Sequence, residues 1–198
     1  MTPRPLLLAS SSSYRKALLQ RLELPFTTAS PDIDESPEPG ESAGHLAVRL
    51  ARQKAEALAA DHRGHWIIGS DQVACLADGT LLSKPGDHER AVRQLARSSG
   101  QQVSFLTGLA LLDSETGAIQ THCEPFEVRF RTLTTDDIEH YLTREQPYDC
   151  AGSFKMEGLG IALFESLSGR DPNSLVGLPL IALTDMLRNW GLNPLRQP

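Results

Sequence analysis

The sequence predicts an α/β fold built on a mixed, partly antiparallel sheet with flanking helices. Two observations predict it. In the first half, short apolar runs alternate with amphipathic stretches of helical period, the pattern of strands joined by helical crossovers. In the second half, Val103 to Leu112 and Ile119 to Phe130 read as long strands on either side of Asp113-Ser114-Glu115-Thr116-Gly117. Such a turn makes its two strands antiparallel neighbours.

Taken in order, Pro5 to Ala9 reads as a strand, Ser10 to Ser13 as a turn and Tyr14 to Leu24 as a helix with Leu18, Leu19 and Leu22 inward. The serines are good caps for that helix. Phe26 to Ala29 is a second short strand, and Ser30 to Gly40 a Pro- and acid-rich loop. Glu41 to His62 is the clearest amphipathic helix, Trp66 to Cys75 a strand, and Asp87 to Ser98 a helix. After the hairpin come a helix over Thr134 to Glu145, a strand over Leu159 to Phe164, a loop over Asp171 to Pro179, and a last helix ending near Gly191.

Composition bounds the function. A chain of 198 residues, 40% hydrophobic and 22% charged, can bury a core as one domain spanning 1–198, long enough to carry two lobes. No apolar run approaches the length of a membrane span, and no apolar stretch after Arg4 suggests a signal peptide. Three widely spaced cysteines without a CxxC pair read as reduced thiols of a cytoplasmic protein. The net charge of −6, without a dense Lys/Arg stretch, argues against nucleic-acid binding. A polyphosphate ligand would need a few placed cations and a metal ion to overcome that field.

Four features carry chemistry. First, a strand turning through Ser10 and Ser12 into a helix gathers free N–H groups and the positive helix end at one spot, a natural phosphate site. Arg15 falls in the first helical turn, where a bound anion would offset its clash with the macrodipole. Ordinary capping beside a solvated arginine would look the same, and no Walker-type glycine loop is present.

Second, Lys54 lies near the middle of the apolar arc formed by Leu46, Ala47, Leu50, Ala51 and Leu58. A snorkelling lysine is the ordinary explanation; an anion at the end of its reach is the functional one. Methionine has the right volume for the same arc. Third, Asp71 is ill-suited to the strand it sits in. Alternation puts it on one face with Ile67, Gly69 and Val73, where Gly69 would leave room for a ligand. With Glu35 from the acidic loop it could hold Mg2+ or Mn2+ through oxygen ligands. A turn Asp or an ion pair is the alternative for Asp71, and a solvated charge cluster with Asp32, Asp34 and Glu38 the alternative for Glu35. Fourth, Lys84-Pro85-Gly86 is by itself a turn before the helix at Asp87, and with Lys54 and Arg15 it would complete a three-cation cradle. A metal, cations on a leaving pyrophosphate and a carboxylate to activate water are the parts that phosphoanhydride hydrolysis needs.

These residues resemble one family, the Maf-like nucleotide pyrophosphatases. The resemblance runs through nearly the whole chain: Leu8-Ala9-Ser10-x-Ser12-x-x-Arg15, Asp34-Glu35, Gln53-Lys54-Ala55, Ile68-Gly69-Ser70-Asp71-Gln72-Val73, Lys84-Pro85, Thr107-Gly108, and Asp171-Pro172-Asn173-Ser174-Leu175-Val176-Gly177-Leu178-Pro179. It implies an α/β fold with a deep groove between two lobes, a cytoplasmic enzyme using a divalent cation, and cleavage of a nucleoside triphosphate to monophosphate and pyrophosphate. Asp71 would be the proton acceptor, with Glu35, Lys54 and Lys84 around the triphosphate. The resemblance leaves a homodimer open.

Tyr14, Gln72 and Glu157 look like the branch that cleaves 7-methyl-GTP, although Trp is the more usual aromatic at the first of these positions and plain packing or an exposed polar side chain is the ordinary explanation of all three. Methylated guanine is cationic, so a stacked aromatic gains a cation–π interaction, and a carboxylate can accept from both donors on the base edge. Two other functions stand beside this one. The same chemistry could act on dTTP, UTP or another modified triphosphate. A non-catalytic nucleotide-binding regulator of cell division would use the groove as a sensor, against which the intact set of Asp71, Lys54 and Lys84 argues.

Overall fold

Residues 4–196 are described by the computed structural model. Its frame is a seven-stranded sheet. Strand β1 (Leu6–Ala9) lies between β2 (Phe26–Ala29) and β3 (Trp66–Leu76), parallel to both. On its other side β3 pairs antiparallel with β5 (Gln102–Asp113), β5 with β6 (Ile119–Phe130), and β6 with β7 (Phe164–Gly169). The two-residue β4 (Leu81–Leu82) pairs with the far end of β3. The predicted mixed sheet with an antiparallel second half is therefore what forms.

Strand period explains the layers. Leu6, Leu8, Trp66, Ile68, Leu109 and Leu111 face α1 (Ser13–Gln20) and α6 (Leu180–Asn189). Leu7, Ile67 and Ala110 point the other way, onto Ala51 and Ala55 of α2 (Ala43–Ala57). With helices on both faces, these strands read as nearly continuous apolar runs instead of alternating ones. Farther along β3, β5 and β6 a second cluster takes over. There Phe105, Phe126, Val128 and Phe130 pack with α3 (His88–Ser98), α4 (Thr135–Glu145) and Phe154. Phe105, Phe130, Phe154 and Phe164 meet edge-to-face with ring centroids 4.9 to 6.1 Å apart, a favourable aromatic geometry. The long strands thus run through two lobes.

Two glycines set how close α2 comes to the sheet. A Cβ at Gly69 would overlap the carbonyl oxygen of Ala51, and one at Gly108 the carbonyl oxygen of Ala47. The space that the sequence suggested for a ligand beside Gly69 is thus filled by helix backbone. That approach brings Lys54 down onto Asp71, which sits opposite Gly108 in the register.

Several boundaries differ from expectation. Helix α1 stops at Gln20 because the chain unwinds through i→i−3 bonds at Arg21, Leu22 and Glu23, and Glu23 takes a positive φ of 55°. Helix α2 starts after Ser42, whose hydroxyl accepts from the His45 N–H, and unwinds after Ala57. The expected strand over Leu159 to Phe164 is instead a 3-10 turn over Leu159–Leu163, with β7 beginning at Phe164. Glu145 accepts from the Leu159 N–H and so ties that stretch to α4. The loop over Asp171 to Pro179 contains one helical turn, α5 (Asn173–Val176).

Candidate active site

The sheet leaves an opening on one edge of β3. Strand β1 ends its pairing at Ala9–Gly69, and β4 begins at Ala74–Leu82. Between them Ser70 to Val73 have no strand neighbour on that side. A groove of about 680 Å³ opens there, beyond the carboxyl end of β1 and beside the N-terminus of α1, the usual place for a ligand in such sheets. All ten residues singled out from the sequence line it: Ser10, Ser12, Tyr14, Arg15, Glu35, Lys54, Asp71, Gln72, Lys84 and Glu157.

At the floor, Lys54 Nζ lies 2.5 Å from Asp71 Oδ1 and 2.6 Å from Glu35 Oε1. The lysine and Asp71 are enclosed, with side chains 9% and 11% exposed, whereas Glu35 is 53% exposed. Lys54 therefore does not snorkel; it ends in a two-carboxylate clamp. Burial pushes the Glu35 carboxyl up, but the Lys54 hydrogen bond and the charges of Lys54, Lys84 and Arg15 outweigh it, leaving the group below its usual value. Glu35 also separates from its acidic neighbours. Asp34 accepts from the Ser36 N–H, while Glu38 and Glu41 pair with Arg49.

Arg15 is not a solvated arginine. Its Nε donates to the Gly177 carbonyl at 2.8 Å. Enclosure lowers its pKa, partly offset by the charges of Asp71 and Glu35. The same Gly177 carbonyl faces the buried Ser70 hydroxyl at 2.9 Å. The serine turn is organised as expected for a cap. Ser12 Oγ accepts from the Arg15 N–H at 3.3 Å, and Ser10 Oγ from the Ser12 N–H at 3.1 Å. The first N–H groups of α1, at Ser13 and Tyr14, have no acceptor within their own helix. Lys84 is exposed on the loop leading to α3, near enough to act on Glu35.

The opposite lip is acidic. Tyr14 is half-buried, and its phenol is pushed up by burial and then by Cys150, Glu157, Asp149 and Glu145. Lys155, the cation of this lip, has its ammonium on the Glu145 carbonyl at 3.0 Å. The groove is thus polarised, with Arg15, Lys54 and Lys84 at one end and carboxylates around Tyr14 at the other.

Gln72 lines the groove, with its side-chain amide turned toward α5. Its amide nitrogen reaches the Ser174 carbonyl at 2.7 Å, the Leu175 carbonyl at 3.1 Å and Thr107 Oγ1 at 3.2 Å. Its donors are spent docking α5, and only its carbonyl oxygen is left for a ligand. Thr107 reinforces the dock by donating to Ser174. Asp171, fully buried, accepts from the N–H groups of Asn173 and Ile181 and shapes the turn that presents Gly177. Sequence reasoning gave Ser70, Thr107 and Gly177 no role. Their signal lay in the short motifs Gly69-Ser70-Asp71, Thr107-Gly108 and Asp171 to Pro179, where polar and glycine residues recur without a periodic reason.

Comparison with known proteins adds a second line. The chain is 62% identical over 188 residues to a protein of Pseudomonas fluorescens named 7-methyl-GTP pyrophosphatase, covering 95% of this chain and 97% of that one. It is 61% identical, with the same coverage, to a protein of the same name from Pseudomonas syringae pv. syringae. Among solved structures, the Ham1 protein of Staphylococcus aureus matches with a TM-score of 0.47 at 13% identity, covering 65% of this chain and 73% of that one. The family model for Maf-like proteins matches residues 5–190, a span that takes in every element from β1 to α6 and all ten groove residues. The chain belongs to the Maf family.

Proposed function

We propose that this chain hydrolyses 7-methyl-GTP to 7-methyl-GMP and pyrophosphate. The observation that carries the reading is the polarity of one groove: a Lys54–Asp71–Glu35 clamp flanked by Arg15 and Lys84, facing a lip of Tyr14 and Glu157. The names of the Pseudomonas relatives support it.

The carboxylates suit a divalent cation shared with substrate. Glu35 and Asp71 offer oxygen donors on either side of one ammonium. Among the described residues no group of three or more His, Cys, Asp or Glu could hold a metal alone. Mg2+ commonly takes one or two carboxylates and completes its shell with phosphates and water. When bound, such an ion would neutralise phosphate charge and lower the pKa of water. The chain's own groups do the rest. Asp71 takes the proton of the attacking water. Lys54 holds Asp71 and Glu35 in register, and Arg15, Lys84 and the N–H groups of the serine turn bear on the phosphates. The water oxygen bonds to one phosphorus of the α–β anhydride, that atom's bond to the bridging oxygen breaks, and 7-methyl-GMP and pyrophosphate separate. Three free thiols support a cytoplasmic setting, and among the described residues no helix is long and apolar enough to cross a membrane.

The test is a panel of 7-methyl-GTP, GTP, dTTP and UTP with Mg2+ or Mn2+, measuring pyrophosphate released. The methylated substrate is expected to have the highest kcat/KM. No release from any triphosphate would favour the regulator, and a preference for dTTP would reassign the base. Glu157→Gln sharpens the test. It turns one acceptor into a donor facing a donor on guanine, which should cost about 10- to 100-fold on guanine substrates and little on pyrimidines. Equal loss on all four would make Glu157 structural.

Gly177→Ala probes the phosphate end. Gly177 has φ +114°, and a Cβ there would lie 3.2 Å from Arg15 Nε. Strain of about 1–3 kcal/mol is expected, together with a raised KM for every triphosphate as the guanidinium is pushed off its carbonyl. A lowered melting temperature with unchanged KM would mean that phosphate binding does not depend on the contact of Arg15 with Gly177.

A further inference from the structure

The acidic loop over residues 30–42 has no helix or strand of its own, yet it delivers Glu35 to the groove. Ile33 packs on Leu46, Ala47, Leu50 and Val73 at one end of it. Beyond Glu35, one side chain of α2 gathers the remainder. Arg49 Nη2 donates to the Ser36 carbonyl at 3.0 Å. Its Nε and Nη2 form a two-pronged pair with the Glu41 carboxylate, both at 2.7 Å. Glu38 lies 3.5 Å from Nε, and Nη1 donates to Gln53 at 3.1 Å, which fixes the guanidinium along its own helix. The Glu41 carboxylate in turn accepts from the Glu38 N–H. The Arg49 and Glu41 side chains are 20% and 8% exposed. Bidentate pairing of this kind is geometrically specific, and Lys in place of Arg cannot reproduce it.

We infer that Arg49 is a positioning residue that holds Glu35 over Lys54. Glu35 is half exposed, so burial does not fix it. Ser36, the next residue along, is fixed through its carbonyl, and a displacement of about 1 Å at a reacting group can cost 100-fold in rate. The inference rests on the proposed role of Glu35, and the experiment separates the two.

Arg49→Met, Arg49→Lys, Glu35→Gln and the Arg49→Met/Glu35→Gln double variant are compared in the intact chain. Arg49→Met should lower kcat about 10- to 100-fold, raise the Mg2+ concentration for half-maximal rate, and leave KM for nucleotide within a few-fold. Mn2+ binding beside a non-hydrolysable α,β-methylene triphosphate, followed by electron paramagnetic resonance, should weaken in parallel. Amide exchange across residues 30–42 should accelerate in Arg49→Met and not in Glu35→Gln, with Arg49→Lys intermediate in rate and exchange. The double variant should be no slower than Glu35→Gln alone, since both act through one group. Faster exchange with unchanged kcat and Mn2+ affinity would overturn the inference, as would losses that multiply in the double variant. If Glu35→Gln is itself fully active, the role of Glu35 fails, and unaltered exchange in Arg49→Met would then overturn the positioning role separately.

Discussion

Asp71→Asn should lower turnover about 10³-fold or more while nucleotide still binds and the chain still folds. The exchange is isosteric, and Asn keeps an oxygen that can accept from Lys54 Nζ, where Asp71 Oδ1 now lies at 2.5 Å. Nothing in the strand pairing is disturbed, because the Asp71 backbone stays opposite Gly108. What is lost is a proton acceptor and one negative charge beside the proposed cation. In the proposed mode both matter in the step where water is deprotonated and little in binding the triphosphate, most of whose charge is assigned to Arg15, Lys84 and the serine turn. Pyrophosphate release at saturating metal measures the first effect, and calorimetric binding of an α,β-methylene analogue the second. Near-normal turnover would exclude Asp71 as the base. Loss of binding equal to the loss of rate would make it a ligand contact alone.

Much of the sheet was legible because its strands obey simple periods. Burial on both faces makes β1 and the ends of β3 and β5 that lie beside it, Trp66 to Ile68 and Leu109 to Leu112, read as apolar runs, and the turn from Asp113 to Gly117 announces the β5–β6 hairpin. Two short strands escaped the sequence reading, although the equally exposed β2 did not. Strand β4 has two residues, and β7, at the sheet edge, is mostly exposed and polar. The more apolar Leu159–Leu163 drew the strand assignment to itself although it forms a 3-10 turn.

The site divides in the same way. Lys54 stood out because a charge on an apolar arc is a local anomaly. Gly69 misled because a glycine beside a carboxylate suits a ligand and a packed helix equally, and only the position of Ala51 decides between them. Gln72 and the 30–42 loop depend on contacts with residues farther along the chain, Ser174 at 102 positions from Gln72 and Arg49 at 13 from Ser36. No pattern within a short window encodes such pairings.

Lys54→Met is the second large effect, and the structure changes its expected form. From the sequence alone, methionine fits the apolar arc and the core should tolerate it. In the fold, the substitution removes the cation between two carboxylates, one of them nearly buried. Breaking an enclosed pair from one side leaves an uncompensated charge. Full burial would cost more, but Glu35 is half exposed and Arg15 lies nearby, so a loss of about 2 kcal/mol is expected. Turnover should fall about 10²- to 10³-fold, as when a placed donor is removed from a charged transition state. The two effects have separate remedies. Adding Asp71→Asn to Lys54→Met takes away the stranded charge, so the double variant should regain most of the stability lost by the single one. It should regain none of the activity, because the proposed reaction uses both groups. Melting curves and pyrophosphate release on the three variants decide the matter. A destabilised Lys54→Met with unchanged kcat and KM would make the lysine a structural clamp. A double variant less stable than either single one would mean that the clamp is not what holds this part of the fold.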